Sequence, residues 1–341
     1  AVMEIIETLR RLSEAAGVGG LTEAADAAEA LLRPLTDEVW RDPMGSVCGL
    51  RRCARPDAPT LLLEAHLDEI GLIVTGIDER GFLRFDACGG IDARAVQAIP
   101  VTVYGKTPCA GVIGTAPPHL AAKDDKLPKL TDMAIDVGMS AEEARACIRP
   151  GDRVSFATRF ADLGGGRVMG KALDDRAGCA AVLAALDRLR GEETAVNVAV
   201  CFSVQEELGG FGAAVAGFRL KPDLAIATDV SFALTPDANK AECGELGKGA
   251  MLGISPVLDH ALTERLRHLA EEDHIAFQYE VMGGKTGTDA DNLSVAAGGI
   301  PTALLSIPLR YMHTPVELAD TADIEAVAAL MAAAARKGAA K

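Results

Sequence analysis

AVNVAVCFSVQEEL, residues 195 to 208, runs an unbroken apolar stretch straight into two adjacent carboxylates, Glu206 and Glu207. A continuous run of this length, rich in valine and closed by polar residues, reads as a strand buried on both faces, the kind found inside sheets covered by helices. TLLLEAHL (60–67), DLAIATDV (223–230) and PTALLSIPL (301–309) share its texture, and RAGCAAVLAALDRLRG (176–191) reads as a helix among them. The expectation is an α/β fold with a mixed central sheet flanked by helices, built from residues 1–70 and 165–341.

Between those segments, over residues 71–164, the pattern changes. GLIVTGIDERGFLRFDACGG (71–90), AIPVTVYGKTPCAGVIGTAPPHL (98–120) and PGDRVSF (150–156) are short strands separated by turn residues. They read as a small β-barrel or sandwich inserted into the α/β domain. KDDKLPKLTDMA (123–134) is polar, carries a proline and reads as a mobile loop.

Composition narrows the function classes. A net charge of −15 over 341 residues argues against a nucleic-acid partner, which calls for a basic stripe. No apolar run reaches the length of a membrane span, and the N-terminal stretch reads as an amphipathic helix rather than a secretory signal. Eight cysteines lie scattered without CxxC spacing, so they read as reduced, mostly buried thiols of a cytoplasmic protein.

The chemistry collects at strand ends. Two neighbouring carboxylates at the end of a buried strand repel one another unless cations neutralise them. AHLDEIG (65–71) puts His66 and Asp68 where another apolar run stops, with Asp68 as a partner that could fix the histidine's tautomer. GKALDDRAG (170–178) sets Asp174 and Asp175 before a helix; one aspartate satisfies an N-cap, and the other is left over. Asp229 ends a third run and His313 follows a fourth. In open α/β sheets, ligands bind at these carboxyl ends.

His66, Asp174, Glu207, Asp229 and His313 can therefore serve two divalent ions, Asp174 bridging and each ion completed by one histidine and one carboxylate. Mixed nitrogen and oxygen donors suit zinc, cobalt or manganese. Three ligand carboxylates against four positive charges leave room for a bound hydroxide.

With these residues in view, the chain resembles the tetrahedral, or TET-type, metallo-aminopeptidases, metallopeptidase family 42, which includes glutamyl aminopeptidase-like enzymes. The resemblance runs through AHLDEIG, GKALDDRAG, VQEELGGFGA (204–213) and PLRYMHTPVE (308–317), in that order and over nearly the whole length. It implies that His66, Asp174, Glu207, Asp229 and His313 are metal ligands, that Glu206 is the general base, and that Asp68 orients His66. A cis Asp174–Asp175 peptide bond is implied as well. So is a PDZ-like dimerisation role for the inserted β-domain, with dimers building a tetrahedral homo-dodecamer. The expected activity is removal of the first residue from peptides with a free N-terminus, by a metal-bridged hydroxide whose proton passes through Glu206.

Other residues are weaker. GTDADN (287–292) offers Thr288 and Asp289 as substrate-side residues or as a helix cap, and Arg310 as a partner for a substrate carboxylate or a surface ion pair. His119 reads as a turn or interface residue, and His260, His268 and His274 belong to the polar face of LDHALTERLRHLAEEDH (258–274). Two other classes fit part of the pattern: a dizinc deacylase or carboxypeptidase acting on N-acyl amino acids, and a non-catalytic shell-forming scaffold. Acidic, aliphatic and basic first residues are all compatible with the sequence.

Overall fold

A computed structural model of the chain describes residues 3–115 and 129–339, and an eleven-stranded mixed sheet forms its centre. Four parallel strands occupy the middle: Asn197–Ser203 beside Thr60–His66, then Leu224–Phe232, then Thr302–Arg310. These are the four apolar runs of the sequence, each within two residues of its expected limits. They are apolar throughout because helices cover both faces. Along Thr60–His66, Leu61 and Leu63 enter one core and Leu62 enters the other, as the two-residue period of a strand requires.

Leu173–Arg188, packed with Ile5–Glu14 and Thr321–Lys337, covers the first face, while Phe211–Leu220 and Asp289–Val295 cover the second. Leu173–Arg188 is buried from Leu173 through Leu186, and each of its leucines contributes about 1.5–3 kcal/mol on leaving water. Antiparallel strands extend the sheet: Val47–Arg51 and Glu38–Arg41 at one edge, Glu317–Asp320, Arg167–Gly170 and Ala161–Gly164 at the other. Ala250–Ile254 and Phe277–Val281 branch from Thr302–Arg310.

The β-rich stretch closes into a six-stranded antiparallel barrel of Gly71–Ile77, Leu83–Cys88, Ala134–Asp136, Pro108–Gly114, Pro100–Tyr104 and Arg153–Phe156. Of the barrel and the sandwich that its turn-punctuated pattern permits, it is the barrel. Its interior, with Leu72, Val74, Leu83, Val101, Val103 and Ile135, is a core of its own. The polar 123–134 segment lies outside the described residues through 128, as does His119; its remainder forms a 3-10 turn at Leu130–Asp132 and begins the Ala134–Asp136 strand.

All eight cysteines are free, but only Cys48, Cys179 and Cys201 are fully buried, fewer than the composition suggests. Among the described residues no helix is long and apolar enough to cross a membrane.

One buried ion pair joins barrel to sheet. Glu69, just past the Thr60–His66 strand, accepts from Lys171 Nζ at 2.9 and 2.7 Å, from the Gly17 amide at 2.8 Å and from Ser155 Oγ of the barrel at 3.2 Å. Burial pulls the Lys171 ammonium down from its ordinary pKa, and the Glu69 charge opposes that pull. Removing one partner of such a pair strands the other in a dry interior. Lys171→Met should therefore cost about 3–5 kcal/mol, seen as a lower urea midpoint, and adding Glu69→Gln should recover part of the loss. An unchanged midpoint in the single variant would remove the pair from its structural role.

Candidate metal centre

The carboxyl ends of the parallel strands converge, and each delivers a donor. His66 is the last residue of Thr60–His66, and its ring is almost wholly buried. Its Nε2 lies 3.0 Å from Asp174 Oδ1, 3.9 Å from Asp229 Oδ1 and 4.0 Å from Glu206 Oε2. Asp229 sits within Leu224–Phe232, where one carboxylate oxygen accepts from the Val230 amide at 2.7 Å.

Asp174 and Asp175 open the helix Leu173–Arg188 with non-helical backbone and a cis peptide bond between them. Asp175 acts as the cap, accepting from the Gly178 amide at 2.9 Å. That leaves Asp174 free to face both histidines: its Oδ2 is 3.3 Å from His313 Nε2.

Beyond Asn197–Ser203 the chain turns at Gln205, in the left-handed region at φ 64°, and the two glutamates diverge. Glu207 reaches His313 Nε2 at 3.4 Å, whereas Glu206 lines the open cleft with Asp174, Asp229 and His313. The cleft encloses about 490 Å³, within the range of small-molecule sites.

Two groups of donor atoms result, each within 4.8 Å of one another and sharing Asp174: His66 with Asp229, and Glu207 with His313. Ligands of a tetrahedral ion stand about 3.4 Å apart, so the 3.0, 3.3 and 3.4 Å separations suit a cation between them. The protonation balance points the same way. Burial, then the Asp174 charge, pushes the Glu207 carboxyl up to about 10, with His66 opposing. Burial, opposed by His66 and aided by the Asp289, Asp174 and Asp68 charges, pushes Glu206 up to about 7. Asp229 is driven well above its ordinary range by burial first. For Asp174, burial is outweighed by hydrogen bonds from His313 and His66, which hold it low. Burial draws His66 toward neutrality, but its hydrogen bond to Asp174 and the surrounding carboxylates lift it well above its usual value. So many buried acids stay ionised together only beside cations, and the residues fit a pair of divalent ions.

The remaining sequence candidates are placed differently. Asp68 stands 3.7 Å from His66 Nδ1, beyond hydrogen-bond reach; its two oxygens instead accept from the Glu206 and Glu207 amides at 3.1 and 3.3 Å. Thr288 lines the cleft and caps Asp289–Val295 by accepting from the Ala290 amide at 3.2 Å. Asp289 is buried beneath the site, accepting from Ser203 Oγ at 2.7 Å. Arg310 lies away from the cluster, where its Nε donates to the Leu234 carbonyl at 2.7 Å.

Four further residues at or beneath the site carry no motif of their own in the sequence. Glu317, at the end of MHTPVE, accepts from the Asp174 amide at 3.0 Å and the His313 amide at 3.1 Å, so one buried carboxylate holds two donors. Its position four residues after His313 was the only available signal. Glu64 is buried in the strand that bears His66, and burial with the Asp289 charge keeps it well above the usual carboxylate range. Gly89 and Gly90 of the barrel pack on the site: a Cβ at Gly90 would lie 2.9 Å from His313 Nδ1, and one at Gly89 3.2 Å from Glu207 Oε2.

The sequence pattern of the M42 glutamyl aminopeptidase family matches residues 45–330. A lysyl aminopeptidase of Pyrococcus furiosus is 36% identical over 327 residues, covering 94% of this chain and 93% of that protein. Among solved structures, a TET aminopeptidase from a marine sediment archaeon of the Thaumarchaeota superposes with a TM-score of 0.93 at 30% identity, over 98% of this chain and 96% of that one. The TET1 peptidase of Pyrococcus horikoshii, which can assemble into a tetrahedron or a large octahedral shell, does so at 0.85 and 32%, over 98% and 100%.

Glu317 provides a test that leaves every candidate ligand intact. Glu317→Ala should lower affinity for zinc, cobalt or manganese about 10- to 100-fold in titration calorimetry, while Arg310→Ala leaves it unchanged. Equal affinities in both variants would mean that Glu317 does not hold the donors.

Proposed function

The chain belongs to the M42 glutamyl aminopeptidase family and is a peptide hydrolase of the aminopeptidase type, and we propose that it works through a dinuclear metal site with Glu206 as general base. His66 and Asp229 would hold one ion, Glu207 and His313 the other, and Asp174 both; zinc, cobalt and manganese suit these donors. When bound, the ions supply Lewis acidity toward the scissile carbonyl and lower the pKa of a neighbouring water.

The rest falls to the chain's own groups. Glu206 accepts the proton of the attacking water and hands it to the nitrogen of the leaving amine. Asp68, by accepting from the backbone amides of both glutamates, holds the turn that aims Glu206 at the cleft. What carries the reading is the divergence of the adjacent glutamates, one lining the cleft and the other turned to His313.

The wider proposal includes a cytoplasmic enzyme that self-associates, with residues 71–164 as a dimerisation unit and dimers building a tetrahedral dodecamer. Its support is kinship with the Pyrococcus horikoshii enzyme and the presence of a barrel with its own core.

Glu206→Gln should keep its bound ions and lose about 100- to 10,000-fold in kcat, measured on chromogenic aminoacyl substrates with metal analysis alongside. Near-normal turnover would remove Glu206 from the role of base. Peptides with a free N-terminus should be cleaved and their N-acetylated forms spared; preference for the acetylated forms would favour a deacylase instead.

A further inference from the structure

The cleft continues past the cluster toward the Phe277–Val281 strand, and one carboxylate there has no part in the proposed chemistry. Glu280 lines the cleft with Phe232, Met251, Tyr279, Val281 and Met282 around it. Its Oε1 accepts from Ser231 Oγ, and its Oε2 from Ser306 Oγ at 2.6 Å. Among the described residues that line the cleft there is no lysine or arginine. A carboxylate accepts up to about four hydrogen bonds, so the two serines fix its plane and leave lone pairs toward the cavity.

Position supplies the second half of the argument. Ser231 follows Asp229 by two residues on one strand, so both side chains point to the same face, about 6.7 Å apart. The side chain of lysine spans roughly 6 Å from Cα to Nζ. A peptide with its first residue at the cluster could therefore extend a long cationic side chain to Glu280, its methylenes lying along Met251, Met282 and Phe232.

We propose that Glu280 is the specificity-determining carboxylate for the first residue, and that the substrates are peptides beginning with lysine or arginine. An acidic side chain would meet the Glu280 carboxylate in a cleft whose lining holds no lysine or arginine. A neutral aliphatic chain would cover the carboxylate without pairing it, which a site built around a buried polar group rejects. This proposal rests on the aminopeptidase reading of the same site.

Norleucine, which is lysine without its terminal amine, separates the two ideas. The metal-loaded enzyme should hydrolyse lysyl p-nitroanilide with a kcat/KM at least about ten-fold above that of the norleucyl compound, and Glu280→Gln should bring the ratio near one. A ratio at or below one in the unaltered enzyme overturns the proposal, as does an unchanged ratio in the variant. If the variant does not fold, the unaltered enzyme's ratio decides alone. If neither compound is hydrolysed, it is the aminopeptidase reading that fails, and titration calorimetry with lysinamide and norleucinamide decides for Glu280: ten-fold tighter lysinamide upholds it, equal binding overturns it.

Discussion

Asp174, Asp229, Glu206 and Glu207 are gathered at the carboxyl end of one sheet with, among the described residues, His66 and His313 beside them, and their mutual repulsion at the largely buried floor of a cleft is the constraint that the surrounding structure answers. Bringing unpaired carboxylates out of water is costly enough that such groups neutralise by protonation or by binding cations. Protonation would destroy the donor set. Cations would preserve it, and would turn a liability of folding into a reason for the site to exist.

A site of this kind has to be rigid, because repelling groups spread apart unless their backbones are fixed. The parallel strands fix His66 and Asp229 through their pairing on both sides. Where donors leave the strands, buried acids hold the backbone: Asp68 takes the amides of Glu206 and Glu207, and Glu317 takes those of Asp174 and His313. The barrel contributes Gly89 and Gly90, whose missing side chains let Glu207 and His313 approach. The turn at Gln205 lets adjacent glutamates serve different ends, one facing a partner histidine and the other the cleft.

Much of this was legible in the sequence, and the boundary of legibility has a physical cause. Four apolar runs announced the central strands because parallel strands covered on both faces carry no polar alternation. A metal-binding type of residue at the end of each run then put His66, Glu207, Asp229 and His313 at one end of the sheet, and the aspartate pair ahead of a helix added Asp174. The supports were harder to read. Asp68 accepts from the amides of Glu206 and Glu207, and Glu317 from that of Asp174, all far away in sequence, and Glu280 meets Ser231 and Ser306 only through the pairing of strands that sequence does not order. Thr288 and Asp289 are neighbours in sequence, yet one lines the cleft and the other lies beneath it, a difference set by where a helix begins.

The central claim is that these carboxylates are neutralised by two cations sharing Asp174. Equilibrium dialysis against zinc or manganese, with ions per chain counted by plasma mass spectrometry, tests it directly. The account predicts two ions per chain, and nearly none once Asp174→Ala removes the shared donor. An unaltered chain that binds no ion, or an Asp174→Ala chain that still binds both, would contradict it.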